Sequence, residues 1–280
     1  DRVVLQGGVF APAHPCFPTS PWLRTIGYFN AVEVWCREWR MIPPLTPRAL
    51  PEHLLATSES KLLYPVARAA QSSLHSANGQ ADFFWRTNLN AFRKAAAIGG
   101  SHSSSPKVDL GAPLTHVYAS NKSLDAIIEG IRRGRTMVSR DRNSPRIEFA
   151  ADALNDGKVE TQIGGIVPIR EENRFIVNVY GGLGKRLEIL LNGQPIRTID
   201  LPLDKFEYAF ADAPEMFSNY LVRVTEKPQK EGFGLAEMLA MTSPIYAQEI
   251  VVVDERTGRS SWVRIESPQV PDNLPTPPLN

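Results

Sequence analysis

From about residue 143 onward the chain repeats one pattern: short runs of alternating apolar and polar residues, rich in β-branched and aromatic side chains, separated by turn-formers. "RIEFAA", "RFIVNVY", "RLEILLNGQPIRTIDL", "FEYAF", "YLVRVTE" and "IYAQEIVVV" all follow it. A period of two sends successive side chains to opposite faces of a strand, so such runs bury one face of a sheet. Asn192-Gly193, between two of them, marks a hairpin. Both central positions of a type I′ turn need positive φ, which Asn and Gly adopt at least cost. Residues 144–253 are therefore expected to form an all-β, sandwich-like domain, followed by a hairpin and a Pro-rich tail over 254–280.

Residues 1–143 read differently. "VVLQGG" and "FNAVEVW" (29–35) look like strands, and prolines interrupt regular structure from Pro43 to Pro51. Helical signals run from Glu52 to Ser73, with a break near Pro65. "NGQADFFWRTNLNAFRKAAAIGG" reads as a helix capped by Asn78 and stopped at Gly99 or Gly100, with Ala81, Trp85, Leu89, Phe92 and Ala96 at helical spacing. "THVYA" is a strand. "SLDAIIEGIRRGR" is a helix with Ser123 as cap, a stripe of Leu124, Ile127, Ile128 and Ile131, and Gly134 as stop. Arg132, Arg133 and Arg135 stand at its negative dipole end, which accounts for at least two of them.

The charge balance narrows the partners. Thirty-one Lys and Arg against 30 Asp and Glu give no bulk attraction to nucleic acid or to an acidic membrane. No apolar run reaches bilayer length. Cys16 and Cys36 allow one bridge or two buried thiols, and buried thiols are expected. The chain opens "DRVVLQGG" without Met, so it is expected to be part of a longer product. A signal peptide upstream would make that product secreted or periplasmic. Oligomeric state is not legible.

Chemistry is concentrated in few residues. Five histidines occur, at 14, 53, 75, 102 and 116, with no H-x-H, H-E-x-x-H, paired C-x-x-C, G-x-S-x-G or Walker loop. "GGLGKR" (181–186) has the wrong spacing for a phosphate loop and reads as a turn. His14 follows a strand and precedes Pro15; His102 follows a helix and a double glycine. Loops in such places carry function in α/β folds. The plainer alternative for each is a loop histidine bonded to backbone.

In order along the chain, "GVFAPAHPCFP", "YFNAVEVWCREW", "NGQADFFWRTNLN" and "AIGGSHSSSPKVDLGAPLTHVYASNKSLDAIIEGIRRGRTMVS" resemble the later part of the PHP (polymerase and histidinol phosphatase) metallohydrolases, in their carbaryl-hydrolase-like branch. "LEILLNGQPIRTIDL" and "MTSPIYAQ" resemble the β-domain that follows there. The resemblance implies an α/β fold: the C-terminal part of a distorted (β/α) barrel over 1–143, then the small all-β domain. It implies divalent metal ions (Zn, Mn or Fe) and hydrolysis of a small ester or phosphoester, with carbamates or amides as further substrates, by metal-activated water. His14 matches a His-Pro metal ligand. Glu33 stands at a strand end, as a supporting group or a plain strand residue. His102 stands where that family has an Asp ligand and Ser104 where it has a His. Arg135 falls where it would approach an anionic substrate. No residue is singled out as catalytic. His14 and His102 supply two ligands where a catalytic zinc takes three, so the expectation divides between part of a metal-dependent hydrolase and a degenerate relative serving as scaffold or binding module.

Overall fold

The computed structural model describes residues 2–22, 28–39, 41–50, 65–70, 74, 76–103, 110–169, 171–227, 237–249, 252–253 and 260–261. In chain order its elements begin with α1 (Arg2–Leu5), β1 (Ala31–Cys36), a 3-10 turn at Pro47–Ala49, α2 (Pro65–Ala70), α3 (Ala77–Asn90) and β2 (Ala96–Gly100). Then come β3 (Leu114–Val117), α4 (Leu124–Arg132), β4 (Thr136–Ser139), β5 (Arg146–Asp152), β6 (Thr161–Gln162), β7 (Ile166–Pro168) and β8 (Asn173–Tyr180). The last are β9 (Arg186–Leu191), β10 (Gln194–Asp200), β11 (Lys205–Asp212), β12 (Ser218–Thr225), β13 (Met238–Thr242), β14 (Ile245–Gln248), β15 (Val252–Val253) and β16 (Ser260–Ser261).

Three layers result, and side-chain alternation explains them. The central sheet runs β10-β9-β12-β13-β4-β3, with β14 on β12 and β7 on β14. Its middle strands are apolar on both faces. Tyr220, Val222 and Val224 of β12, with Leu239 and Ile245, point into one core; Leu221, Met238, Met241, Tyr246 and Val138 point into the other. On the first side lies the four-stranded sheet β11-β8-β5-β6. It contributes Ile147, Phe149, Phe175, Val177, Val179 and Phe210, and the ring of Phe175 lies 4.4 Å from Tyr220 and 5.0 Å from Phe210. On the second side lie α3 and the pair β1–β2, which contribute Trp85, Leu89, Val34, Trp35 and Ala97. The outer faces of β5, β8 and β11 are partly or fully exposed, which is why those strands alternate in sequence.

This architecture corrects the α/β reading: among the described residues there is no partial (β/α) barrel. β1 and β2 pair in parallel with α2 and α3 between them, but no third parallel strand continues the series. The outer edge of β2 is taken instead by side-chain hydroxyls. Ala97 N–H donates to Ser243 Oγ (2.8 Å), Gly99 N–H donates to Thr115 Oγ1 (2.8 Å), and Thr136 Oγ1 donates to the Ala97 carbonyl (2.7 Å). With those backbone groups satisfied, no barrel strand can add there. β3 and β4, on which the barrel expectation leaned, pair antiparallel with each other, and β4 pairs antiparallel with β13 in the central sheet. The fold is β-sandwich-like, with one α/β layer added to its second face.

Local expectations divide in the same way. Helix α4 starts at Ser123, whose Oγ accepts from Ala126 N–H, and Gly134 follows it at φ +70°. Its stripe is not buried, however: Leu124 is 72% exposed and only Gly130 of the helix is buried. α3 is capped by Ser76, not Asn78, and ends at Asn90. Ala96 and Ala97 are helix formers by propensity, yet they run extended in β2 because small side chains let it pass closely under the central sheet. Residues 2–5 are helical where a strand is expected. Most of the helix expected over 52–73 lies outside the described residues, as does the Pro-rich tail.

The hairpin β9–β10 turns at Asn192 (φ +51°) and Gly193 (φ +81°), as the Asn-Gly pair predicts. Its tip also latches onto α3: Arg86 Nη1 donates to the Gly193 carbonyl (3.2 Å) and Asn90 Nδ2 to that of Asn192 (3.1 Å). A Cβ on Gly193 would stand 2.9 Å from Arg86 Nη1. Gly193→Ala is expected to destabilise the chain by ~1–2 kcal/mol, from left-handed strain plus a displaced latch. A urea titration checks this, and an unchanged midpoint would show that the turn carries no such constraint.

Candidate functional site

The Gly99-Gly100 pair lets two strand ends meet. A Cβ on Gly99 would lie 3.1 Å from the Trp35 carbonyl oxygen, and one on Gly100 would lie 3.3 Å from Glu33 Oε1. Bare backbone at these positions brings the carboxyl ends of β1 and β2 together with the loop that carries His14. Three sequence-nominated residues converge there. His14 N–H donates to Glu33 Oε2 at 2.8 Å. The rings of His14 and His102 are 5.1 Å apart, centre to centre, at 65°. Phe17 packs 4.9 Å from His14 and stacks 6.0 Å from His102, walling one side.

Backbone strain marks the same spot. Six non-glycine residues have positive φ among the described residues, and three of them meet here: His14 (+30°), Arg37 (+57°) and His102 (+48°). Such conformations cost about 1 kcal/mol or more each and gather at functional sites. Arg37 follows β1 directly and is pinned across the strand ends, its N–H donating to the Gly100 carbonyl at 3.3 Å. Its Nη2 lies 3.5 Å from His102 Nδ1. Asn78 holds this turn from behind. Its Oδ1 accepts from Cys36 N–H at 2.9 Å, and its Nδ2 faces the carbonyls of Cys36, Glu38 and Trp39 at 3.0–3.2 Å.

The electrostatics separate the groups. Burial pushes the Glu33 carboxyl above the usual range, opposed by the His14 N–H and by the charge of His102. Burial, with the Glu33 charge, pushes the Cys36 thiol up to about 12, against the pull of Arg37. Cys16 is pushed up by complete burial. Both thiols are free and buried, and burial disfavours the thiolate a nucleophile needs. Two polar atoms in the cluster are shut off from solvent without a partner: His14 Nδ1 and Arg37 Nε.

Other nominated residues lie elsewhere. Arg135 closes the end of α4: its N–H donates to the Gly130 carbonyl, and its carbonyl accepts from Tyr118 N–H. Its guanidinium is influenced by burial first, then by Arg133 and Glu129, and none of its hydrogen bonds reaches the histidines. His116 is half-buried with Nε2 2.9 Å from Ser139 Oγ, which donates to the Asp141 carbonyl. Burial, then the charge of Arg146, lowers its pKa, and the arrangement is structural. Ser104, His53 and His75 lie outside the described residues.

Sequence reasoning missed two features. Arg37 carried only a weak signal, an arginine directly after a strand. The second is "DALNDGKVE": Asp152, Asp156 and Glu160 place three carboxylate oxygens within 4.8 Å of one another, near enough to share a metal ion. No other His, Cys, Asp or Glu trio among the described residues does so. These carboxylates also hold their own loop, since Asp152 accepts from the N–H groups of Asp156 and Gly157, and Glu160 accepts from that of Ala153. The spacing of four between acids was its signal.

No family model matches the chain, and no curated protein does. The PHP resemblance is therefore corrected, since neither a family match nor a barrel supports it. Two solved structures are similar in part, both of the CARDB domain of the PF1109 protein from Pyrococcus furiosus. The solution NMR structure is 13% identical with a TM-score of 0.23, covering 38% of this chain and 96% of that domain. The crystal structure, in complex with di-metal ions, is 13% identical with a TM-score of 0.24, covering 37% of this chain and 89% of that domain. At those TM-scores the likeness assigns nothing to this chain.

Proposed function

We propose that this chain is part of a metal-dependent hydrolase acting on a small ester or phosphoester, with the metal held by His14, Glu33 and His102. One observation carries the reading: the buried His14 Nδ1, without a hydrogen-bond partner, beside a half-buried carboxylate and a second imidazole near paired strand ends. A buried polar atom without a partner costs ~1–3 kcal/mol, which a ligated cation offsets. Two imidazoles and one carboxylate suit Zn, Mn or Fe and leave positions open. Such a metal, when bound, supplies a water acidified to a pKa of ~7 and a polarised ester oxygen. Glu33 contributes charge, the His14 loop orients an imidazole, and Phe17 limits water on one side. His102 is exposed, and the three ligand atoms do not all lie within 4.8 Å, so binding draws His102 inward.

Because burial raises the folded-state pKa of Glu33, its contribution to stability is fully present below the unfolded value and is lost as pH rises through the raised folded value. Above that raised value the ionised carboxylate therefore counts against the fold. Glu33→Gln is expected to leave the metal-free chain as stable as wild type at pH 7, or more so. The rise in Tm that excess Zn²⁺ or Mn²⁺ produces in wild type should be largely lost in Glu33→Gln, His14→Ala and His102→Ala, with affinity falling ~10–100-fold. Equal metal-induced shifts in wild type and variants would sink the reading, as would no shift in any. Turnover of nitrophenyl phosphate and nitrophenyl acetate with each metal tests the hydrolase itself.

One observation favours a second reading, a non-catalytic binding module. The Arg37 guanidinium, 3.5 Å from His102 Nδ1, opposes a metal cation. Metal binding without turnover of any ester would favour it.

A further inference from the structure

Arg37 is positioned as a recognition group without anything to recognise in the chain itself. Its backbone is held in the left-handed region by the Gly100 carbonyl and by the Asn78 clamp on the residue before it. No carboxylate pairs with its side chain among the described residues, and Nε is buried without an acceptor. In a guanidinium, Nε–H and Nη2–H share one edge, the edge that takes a carboxylate or phosphate through two parallel hydrogen bonds. The His102 imidazole stands beside Nη2, its Nδ1 3.5 Å away. At that distance the contact is weak. It leaves Nε without an acceptor.

We infer that the Nε–Nη2 edge of Arg37 is an oxyanion-binding site, for the phosphate or carboxylate group of a ligand, and that His102 covers it. His102 connects the two sites. When it turns toward His14 and Glu33 it uncovers Arg37, so the edge opens as the metal site closes. The opening step rests on the metal reading above; the oxyanion site does not. A ligand's anionic group on Arg37 then lies beside the groups assigned to the metal, with Phe17 against the histidine rings.

The test uses the whole chain in metal-free buffer, titrated calorimetrically with inorganic phosphate and separately with acetate. His102→Ala removes the cover and is expected to bind one of these anions about tenfold or more tighter than wild type. Adding Arg37→Gln to that background should weaken binding about ten- to a hundredfold, the weight of a charge-assisted pair. Arg37→Lys should recover only part, because an ammonium is a point charge without the bidentate edge. The stronger of the two anions identifies the group. The inference is overturned if His102→Ala binds neither anion more tightly than wild type, or if Arg37→Gln makes no difference while circular dichroism shows an unchanged fold. Metal is absent from every arm, so failure of the metal reading appears separately, in the thermal shifts above.

Discussion

Gly164→Ala is expected to destabilise the chain by about 3 kcal/mol or more, because it has the tightest surroundings of any described glycine. Gly164 sits between β6 and β7 at φ +81°, and its N–H donates to the Pro244 carbonyl at 2.8 Å. A Cβ there would overlap the Arg133 carbonyl oxygen and stand 2.7 Å from the Gly134 carbonyl carbon. Those atoms are backbone, at the junction of α4 and β4, and cannot rotate away. Left-handed strain contributes ~1–2 kcal/mol and the forced backbone shift ~1–3 kcal/mol more. Urea unfolding should show a lower midpoint at unchanged slope. A change under about 0.5 kcal/mol, the range of an ordinary surface substitution, would mean that the β6–β7 turn does not abut the end of α4.

Asn78→Ala is expected to be nearly as severe, and to reach the candidate site. The side chain is buried and satisfies Cys36 N–H and the carbonyls of Cys36, Glu38 and Trp39, so its loss strands several buried backbone groups at once. Each stranded group costs ~1–3 kcal/mol, and partial relaxation leaves a total of about 3–5 kcal/mol. Because those groups form the turn that bears Arg37, the variant should also lose affinity for metal and for oxyanion at temperatures where it is still folded. Thermal unfolding followed by titration with Zn²⁺ and phosphate below the transition checks both. Full binding in a destabilised but folded variant would show that the clamp serves the fold alone.

Much of the β architecture is legible in the chain. β5, β8 and β11 announce themselves by alternation, since each has one face on the core and one toward solvent. Asn192-Gly193 and the Ser123 cap are local chemistry and form where they are read. The Asn78 cap fails because Ser76 accepts the Gly79 N–H and frees Asn78 to reach across to β1. The run through Ala97 fails because sheet packing overrides helix propensity. The barrel expectation fails on hydroxyls: Thr115, Thr136 and Ser243 are unremarkable in sequence, yet together they occupy the backbone of β2.

The candidate site divides along the same line. Types and positions along the chain mark His14 and His102, because metal-binding chemistry has a residue vocabulary; Glu33 is nominated by the resemblance alone and lies in the middle of β1, not at its end. Arg37 has no such mark. It joins the candidate site because two glycines bring β2 against β1, because Asn78 fixes the turn, and because a histidine 65 residues later comes within 3.5 Å of its guanidinium. By itself the sequence determined which segments alternate, where the hairpin turns and which residue types are able to serve as ligands, all set within a few neighbours. Tertiary structure alone decided which strands pair, which polar atoms are buried without partners, and which charges face one another. Those depend on the solvent exclusion and close approach of segments far apart in the chain, which no local spacing records.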